Sequence, residues 1–423
     1  MKKDYLPRLF DETLEFSLKS KGAVLVVGPK WCGKTRTCSR HAKTIIEMLP
    51  ADTRKQNVLF AKNAPSLFLS QGPKPILIDE WQIISFIWDS IKTEVDKNDD
   101  FGQFILTGSV TDRIAYDGGN KEEQERHTGN GRITIKKLRT MSLFESGDSN
   151  GTVSLSKLGE GIFEEAISNA DIEDYAYRIC RGGWPLAIGE SEDVALQQAI
   201  DYYDMLYNED VFSIRDIKFQ KDTTIAERVI RSYARNIGTS CASSLIADDA
   251  GIDKETMNKF DEVLQRLYIL DNVRAWSVNL RSRTAIRTKD TRYFVDPSIA
   301  TAALGLTPSS LFKDMNYFGF LFESLAIRDL KIYSESINAK LFHYRDKRGL
   351  EADAVLVYKN GEFALIEIKL GDDESIDLAA KNLLKLQDDL IQKPLYLMVI
   401  TKSRYAYKRD DGVYVVPLAT LRN

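Results

Sequence analysis

The sequence has few of the residues that build metal centres and disulfide frameworks. Its 423 residues include four cysteines and three histidines, and none of them shows the spacing of a zinc-ligand set. So few cysteines fit a reducing compartment, and no apolar run is long enough to cross a bilayer. The opening residues, MKKDYLPRLFDE, lack the apolar core of a signal peptide. We therefore expect a cytoplasmic protein without a membrane partner.

The sequence also has no excess of basic residues. Lysine and arginine number 58 against 62 aspartates and glutamates, which gives a net charge of −4. No global basic field would therefore draw the chain to nucleic acid, and any such binding would need a local patch. With 43% hydrophobic and 28% charged residues, the composition is that of a globular protein, and the length predicts two to four domains.

A phosphate-binding loop lies near the start of the chain. Residues 24–35, VLVVGPKWCGKT, place the pattern G-x-x-x-x-G-K-[ST] after an apolar run typical of a strand. Glycines at both ends let the backbone amides turn around an anion, while the lysine reaches the β- and γ-phosphates and the threonine can ligate magnesium. A glycine-rich turn that binds nothing is the alternative. The predicted ATP-binding residues are Gly28, Pro29, Lys30, Trp31, Cys32, Gly33, Lys34, Thr35 and Arg36.

Two later apolar runs predict the rest of a nucleotide site. Residues 74–82, KPILIDEWQ, predict a buried strand that ends in Asp79, a magnesium-site residue, and Glu80, which would polarise the attacking water. Residues 101–109, FGQFILTGS, predict a third strand that ends near Thr107. We expect the Thr107 hydroxyl at the ligand-binding edge of the sheet, where it would sense the γ-phosphate or simply cap a turn.

Helices and an arginine finger are predicted around these strands. Apolar spacing predicts helices over Phe10–Leu18 and Arg36–Leu49. Arg132 follows a glycine-rich turn and is the candidate arginine finger, acting in cis or across a subunit interface. Arg113 and Arg126 compete for that role, and an ordinary surface arginine is the alternative for all three.

Taken together, these motifs resemble a known family. The stretches YLPR, GPKWCGKT, ILIDEWQ, FILTGS, HTGNGRI and LRTMSLFESGDSNGTVSL are similar to those of the prokaryotic AAA-type ATPases that carry a C-terminal DUF4143 domain. The resemblance covers nearly the whole chain and implies an α/β fold, but no cellular role. The expected domains are a P-loop NTPase of the AAA type (1–170), a helical lid (171–220), a winged-helix domain (221–300) and a restriction-endonuclease-like α/β domain of the PD-(D/E)xK type (301–423).

The predicted lid contains a Gly-Gly-x-Pro turn within CRGGWPLAI. Gly182, Gly183 and Pro185 resemble the glycine–proline sensor with which signal-transducing P-loop ATPases touch the nucleotide from the lid. An ordinary turn between two helices explains the same residues equally well.

The segment 223–300 predicts three helices followed by two strands around a basic tip, which is the order of a winged helix. Between Asp271 and Arg292 six basic residues face two acidic ones, a local footprint for nucleic acid. The third helix, capped by Asp253, is rich in acidic residues and is poorly suited to a DNA groove. DNA therefore stays an open partner.

A second set of charged residues lies near the end of the chain. Glu367 and Lys369 are two residues apart on a predicted strand, so they share one face, and a hairpin would bring Asp353 alongside. The set resembles a PD-(D/E)xK nuclease core, which implies that Asp353 and Glu367 bind magnesium, that Lys369 orients the attacking water, and that Glu323 from the preceding helix completes the site. The alternative is a solvated salt-bridge ladder.

The sequence therefore predicts a protein that binds and hydrolyses ATP with Mg²⁺, and whose nucleotide state controls a magnesium-dependent nuclease-like domain acting on DNA. The alternative is an ATP-dependent regulatory or oligomeric switch in which the nuclease-like domain is inactive and only binds a partner. ATP and ADP are the expected ligands, and a homo-oligomer stays open.

Overall fold

The computed structural model describes residues 4–98, 100–108, 131–214, 217, 221–276, 289–346 and 349–423. The chain divides into two compact units. Unit 1 comprises Met1–Thr140, Asp210–Lys221 and Asp261–Ile269, and unit 2 comprises Met141–Glu209, Asp222–Phe260 and Leu270–Asn423. Unit 1 thus collects three separate stretches of chain, whereas each predicted domain is continuous. Among the described residues, no helix combines the length and the apolarity needed to cross a bilayer.

The described part of unit 1 is built on a five-stranded parallel sheet. Its strands are β1 (Ala23–Val27), β2 (Thr44–Glu47), β3 (Ile76–Asp79), β4 (Phe104–Gly108) and β5 (Ile133–Lys137), in the order β2-β3-β4-β1-β5. Alternate residues of β1 enter two separate apolar cores, so helices cover both faces of the sheet. This order brings the carboxyl ends of β1, β4 and β3 side by side at one edge.

Helices connect the strands of unit 1. They are α1 (Leu9–Leu18), α2 (Lys34–His41), α3 (Ala51–Asn63), α4 (Pro65–Phe68), a 3₁₀ helix (Trp81–Ile87) and α5 (Trp88–Asn98). The helix predicted over Phe10–Leu18 is confirmed as α1. The helices α3 and α4 lie in a stretch to which the sequence assigned no structure.

The helix predicted over Arg36–Leu49 was wrong in its second half. It ends at His41, and Ile45 and Ile46 lie in the edge strand β2. The β-branched run Thr44–Ile46 favours an extended backbone. Because Ile46 is buried while Ile45 is exposed, the apolar spacing reflects an edge strand with one buried face rather than a helix.

Unit 2 contains a seven-stranded mixed sheet. Its strands are β7 (Ala166–Ile167), β8 (Lys340–Arg345), β9 (Glu351–Val357), β10 (Phe363–Lys369), β11 (Leu397–Thr401), β12 (Tyr405–Lys408) and β13 (Tyr414–Pro417), in the order β7-β12-β13-β11-β10-β9-β8. A further pair joins β6 (Val153–Ser154) to β14 (Leu421–Arg422). The predicted hairpin between β9 and β10 is confirmed. In its register Ile366 lies opposite Ala354, so the next pair along the strands is Glu367 opposite Asp353.

Helices complete unit 2, and α11 continues into unit 1. They are α6 (Leu155–Gly159), α7 (Ile172–Arg181), α8 (Glu192–Asn208), α9 (Thr223–Arg235), α10 (Ser243–Ala250), α11 (Lys254–Arg266), α12 (Ser298–Ala303), α13 (Pro308–Leu311), α14 (Met315–Ser336) and α15 (Asp373–Asp389). After α9, α10 and α11 the chain forms antiparallel bridges between Leu270 and Phe294 and between Val273 and Thr291. Three helices followed by an antiparallel pairing is the predicted order, although the basic tip at 277–288 lies outside the described residues.

Candidate functional site

The predicted phosphate loop lies where β1 ends and α2 begins. Gly33 precedes α2 with a left-handed backbone (φ 97°), and Trp31 is left-handed as well (φ 63°). Gly28 has φ 154°, and a Cβ atom there would lie 2.1 Å from the carbonyl oxygen of Leu138. The first glycine of the loop is therefore required by the backbone that follows β5, in addition to any need of an anion.

Lys34 is buried at the first position of α2. Its Nζ atom donates to the carbonyl oxygens of Gly28 (3.0 Å) and Pro29 (2.8 Å). Both acceptors are uncharged, so the ammonium keeps its positive charge inside the loop. The amino-terminal dipole of α2 adds to that charge, and together they suit a phosphate group.

The end of β3 places Asp79 against Thr35, and the end of β4 places Thr107 against Asp79. The Thr35 hydroxyl donates to Asp79 Oδ1 at 2.9 Å, and the Thr107 hydroxyl donates to the same oxygen. Thr107 Oγ1 also accepts the backbone N–H of Glu80 at 3.2 Å. Thr107 is fully buried, so its hydroxyl fixes the orientation of Asp79 and of the backbone at Glu80. Gamma-phosphate sensing by Thr107 stays a prediction.

Glu80 has a left-handed backbone at the end of β3 (φ 58°, ψ 49°), a conformation that costs a non-glycine residue free energy. Its carboxylate accepts a hydrogen bond from the side-chain amide of Gln82. Sequence reasoning missed Gln82, and the only signal was its position two residues after Glu80. The strained backbone turns Glu80 away from the strand direction, and Gln82 holds its side chain there.

Three other residues predicted to bind ATP have different surroundings. Lys30 forms an ion pair with Asp210 at 2.5 Å, and the Asp210 side chain is almost completely buried. Nothing in the sequence signals this contact, because 180 residues separate the partners. Trp31 and Arg36 lie on the surface.

Arg132 does not lie near the phosphate loop of its own chain. Its backbone carbonyl pairs with the N–H of Ala23, at the start of β1, so it lies at the opposite edge of the parallel sheet from Gly28. A five-residue strand separates those edges by roughly 16 Å. The guanidinium pairs with Asp96 and is 42% exposed. This position does not favour action in cis, and the role of Arg132 as an arginine finger stays a prediction. Arg113 and Arg126 lie outside the described residues.

The predicted lid turn is packed tightly within unit 2. A Cβ on Gly183 would lie 2.1 Å from the Met141 carbonyl oxygen, and one on Gly182 would lie 2.5 Å from side-chain oxygens of Asp296 and Ser298. The Gly183 N–H donates to Asp296 Oδ2 at 2.9 Å, and its carbonyl accepts the Met141 N–H at 2.7 Å. Close packing therefore explains both glycines.

A buried ion network holds the same turn. Arg328 on α14 lies 3.2 Å from Asp296 and 2.8 Å from Asp329, and all three are buried. Trp184 donates from its indole nitrogen to a serine hydroxyl of that region at 2.9 Å. Pro185 is half-buried next to Trp184. The turn is a structural element of unit 2, and nucleotide sensing by it stays a prediction.

The acidic and basic residues near the end of the chain come together as predicted. Lys369 Nζ lies 2.6 Å from Glu367 Oε2 and 3.3 Å from Asp353 Oδ2. The backbone N–H of Ile368 donates to the same Asp353 oxygen at 2.7 Å. Glu367 is 1% exposed. Glu367 is thus buried, whereas a third of the Lys369 side chain is exposed, and the nuclease-like role of the set stays a prediction.

Glu323 on α14 belongs to this cluster electrostatically. Burial, together with the nearby Asp353 carboxylate, raises the pKa of Glu323 to about 8. Its carboxylate accepts a hydrogen bond from the Tyr293 hydroxyl, and burial beside Glu323 raises the pKa of that phenol. Tyr293 was not predicted as a member of this cluster, because the sequence pattern around it indicates only a strand next to the basic tip.

The carboxyl groups of this cluster outnumber its ammonium group. Burial and the Asp353 carboxylate raise the pKa of Glu367 well above its usual value. Burial opposes the charge of Lys369, but the Asp353 and Glu367 carboxylates raise its pKa above the usual range. Three carboxyl groups thus share one ammonium, which suits an added cation. Within the described ranges, however, no group of three or more His, Cys, Asp or Glu residues is arranged to hold a metal ion.

Three domain families match the sequence. An AAA domain matches residues 20–146, a domain of unknown function, DUF8612, matches residues 172–310, and a domain of unknown function, DUF4143, matches residues 318–421. The DUF8612 match spans most of the predicted lid and winged helix. No match was found among curated proteins.

Solved structures give distant similarities. A Walker-type ATPase of Pyrococcus abyssi, PABY2304, is 13% identical over 72% of this chain and 97% of its own, with a TM-score of 0.43. The Drosophila ORC bound to DNA is 11% identical over 70% of this chain and 84% of its own, with a TM-score of 0.18. Protein VC1899 of Vibrio cholerae is 11% identical over 94% of both chains, with a TM-score of 0.18. At these TM-scores the similarities do not establish a fold or a function for this chain.

The family matches and the parallel sheet with its phosphate loop agree with each other. The chain carries an AAA-type P-loop ATPase domain followed by a DUF4143 domain.

Proposed function

We propose that this chain binds ATP with magnesium at Gly28–Thr35 and hydrolyses it. The observation that carries the proposal is the contact of the Thr35 hydroxyl with Asp79 at 2.9 Å, at the edge of the sheet where β1 and β3 end. A hydroxyl from the loop and an aspartate at the end of another strand of the same sheet are the magnesium-binding pair of P-loop ATPases. Lys34, which donates to two neutral carbonyls, supplies the positive charge for the phosphates.

Each residue has a role in this proposal. Thr35 and Asp79 would hold magnesium, which neutralises charge on the β- and γ-phosphates. Thr107 keeps the Asp79 carboxylate turned toward Thr35. Glu80, at the exit of β3, orients the attacking water and accepts its proton, and Gln82 holds the Glu80 carboxylate in place.

The ATPase proposal is tested with Glu80→Gln. We expect the rate of ATP hydrolysis to fall about 100-fold, because general-base catalysis contributes that much or more, while ADP affinity stays within about threefold. Glu47→Gln is the matched control, since Glu47 ends the neighbouring strand β2 opposite Asp79. An unchanged rate in Glu80→Gln would remove the base role. If the wild type binds no nucleotide, the whole proposal fails.

We propose further that the DUF4143 domain is a magnesium-dependent nuclease-like domain acting on DNA under the control of the bound nucleotide. The support is the contact among Asp353, Glu367 and Lys369, together with the excess of buried carboxyl groups. Asp353 and Glu367 would hold a divalent cation, which polarises a scissile phosphate. Lys369 orients the attacking water, and Tyr293 holds Glu323 beside it.

Plasmid cleavage in Mg²⁺ or Mn²⁺, with and without ATP, tests this second part. We expect Lys369→Ala to lose cleavage, while Lys340→Ala, an exposed lysine in the same sheet, keeps it. We also expect Lys34→Ala to lose any dependence of cleavage on ATP. Equal cleavage by the wild type and Lys369→Ala would show a contaminating nuclease and would contradict the assignment.

One observation favours a second function, a nucleotide-dependent switch without nuclease chemistry. Lys369 is held by two carboxylates, and the described residues hold no three-ligand metal group. In such a switch α9, α10 and α11, with the antiparallel pairing after them, would form a winged helix that passes the nucleotide state to a partner. Tightly retained ADP, and a change in mass on adding ATP without any cleavage, would favour this function.

A further inference from the structure

Arg8 connects the phosphate loop to the backbone after β5. It lies directly before α1 and is only 5% exposed. One terminal nitrogen of its guanidinium donates to the Cys32 carbonyl oxygen at 3.0 Å. The other donates to the carbonyl oxygens of Arg139 (2.9 Å) and Thr140 (3.0 Å). A single buried cation thus fixes three backbone carbonyls from two distant stretches.

The contact with Cys32 fixes a peptide group of the loop itself. In the described chain Lys74–Pro75 is the cis peptide, so the Cys32–Gly33 peptide is trans. In a trans peptide the C=O and the following N–H point in opposite directions. Because Arg8 holds the Cys32 carbonyl, the Gly33 N–H points away from Arg8. Phosphate loops bind anions with N–H groups of this kind.

Arg8 is itself held firmly. Its backbone N–H donates to Asp11 at 2.8 Å, and the same carboxylate accepts the Tyr5 hydroxyl at 2.8 Å. His41, the last residue of α2, lies 2.9 Å from Asp11, and Tyr5 contacts Thr37 in the middle of that helix at 3.3 Å. The stretch before α1 is therefore anchored to the loop and to the helix that follows it.

We infer that Arg8 is a positioning residue for phosphate recognition, which orients the Cys32–Gly33 peptide so that the Gly33 amide meets the β-phosphate of a nucleoside di- or triphosphate. The inference rests on the proposed binding of nucleotide at this loop. Arg8 does not touch the nucleotide in this role and acts through the Cys32 carbonyl. The consequence is selectivity for nucleotides that carry a β-phosphate.

The test compares the affinities for ADP and AMP in Arg8→Gln, by direct titration for ADP and by displacement of a fluorescent ADP for AMP. We expect ADP binding to weaken about tenfold, the worth of one charge-assisted hydrogen bond, and AMP binding to change less than threefold. Arg54→Gln is the matched control, because Arg54 also donates to backbone carbonyls of the same unit, those of Met48 and Leu49, and these do not belong to the loop.

A second variant separates positioning from folding. Arg8→Lys keeps the charge but cannot reach three carbonyls at once, so we expect an intermediate loss of ADP affinity. If Arg8→Gln does not fold, Arg8→Lys decides the question. Unchanged ADP affinity in a folded variant, or equal losses for ADP and AMP, would overturn the inference. A wild type that binds no ADP would instead overturn the proposed function.

Discussion

Two lysines, the buried Lys34 and the half-buried Lys369, have opposite surroundings. Lys34 donates to two backbone carbonyls, at 3.0 and 2.8 Å, and its partners carry no charge. Lys369 lies 2.6 Å from Glu367 and 3.3 Å from Asp353, and both partners are carboxylates. Either lysine taken from the sequence alone would be a candidate for binding phosphate.

The difference shows which charge each site can accept. The loop holds an ammonium with neutral partners, so it is complementary to an anion such as a polyphosphate. Around Lys369 the carboxyl groups outnumber the ammonium, and burial with mutual repulsion raises the pKa values of Glu323 and Glu367. That cluster is complementary to a cation. The two sites therefore differ in the ligand that they favour.

The largest effect is expected from a substitution that removes the positive charge from the loop. We expect Lys34→Ala to weaken ATP binding at least about 100-fold, because two charge-assisted hydrogen bonds to phosphate are lost at about 1.5 kcal/mol each. Lys62→Ala, an exposed lysine on α3, is the control and should bind as the wild type does. Titration with ATP measures both. An affinity within threefold of the wild type would show that the loop does not use its lysine.

The second prediction concerns two glycines of unit 2, one in a packed turn and one in a helix. Gly183→Ala places a methyl group 2.1 Å from the Met141 carbonyl oxygen, so the turn must move. We expect a loss of about 2 kcal/mol in the free energy of unfolding, the usual cost of overpacking. Gly319→Ala is the control, because Gly319 lies in α14 with nothing within 4 Å of the added methyl. It should stabilise the helix slightly. Urea unfolding compares the two, and equal stabilities would show that the turn yields without cost.

The sequence predicts a site well when residues close together in the chain form it, and poorly when distant residues form it. The loop is recognisable because one continuous stretch supplies its backbone and its lysine. Asp353, Glu367 and Lys369 are recognisable because strand periodicity and a hairpin fix their neighbours. Arg8 and Asp210 are not, because each meets the loop through contacts between residues far apart in sequence.

The errors have physical causes as well. The helix predicted over Arg36–Leu49 failed because a β-branched edge strand can imitate helical apolar spacing. Arg132 was predicted as an arginine finger, in cis or across a subunit interface, because it follows a glycine-rich turn, and the direction of a parallel strand puts its backbone at the edge of the sheet far from the loop. The sensor role of Gly182 and Gly183 is not among these errors: packing against Asp296 and Met141 accounts for both glycines, and nucleotide sensing stays a prediction.

The third prediction uses Lys369→Met. Removing the ammonium leaves the Asp353 and Glu367 carboxylates without their shared counter-charge, so the cluster becomes more negative. We expect Mn²⁺ to bind about tenfold more tightly, as measured by calorimetric titration, although cleavage is lost. Lys340→Met, at the edge of the same sheet, should leave Mn²⁺ affinity unchanged. Weaker Mn²⁺ binding in Lys369→Met would contradict a cation site and would favour the binding-only function.

The smallest effect is a change in the pH dependence of stability. The pKa of Glu323 is about 8 in the folded chain against 4.5 for an ordinary glutamate, because burial and Asp353 disfavour its charge. Between these values the folded chain holds a proton that the unfolded chain has released, so this group stabilises the fold fully below pH 4.5 and loses that contribution as pH rises to 8. In Glu323→Gln the fall in unfolding free energy from pH 5 to pH 6 should therefore be smaller by about 1 kcal/mol, close to the equivalent of one pKa unit.

Urea unfolding in EDTA at several pH values measures this difference without interference from metal ions. Glu335→Gln, which alters an exposed glutamate near the end of α14, is the matched control and should follow the wild-type curve. A Glu323→Gln curve parallel to the wild type would show that Glu323 releases its proton at the usual pH in the fold. The comparison would then change, because Glu323 would add a negative charge to the cluster at neutral pH and the cluster would attract a cation more strongly than its present surroundings imply.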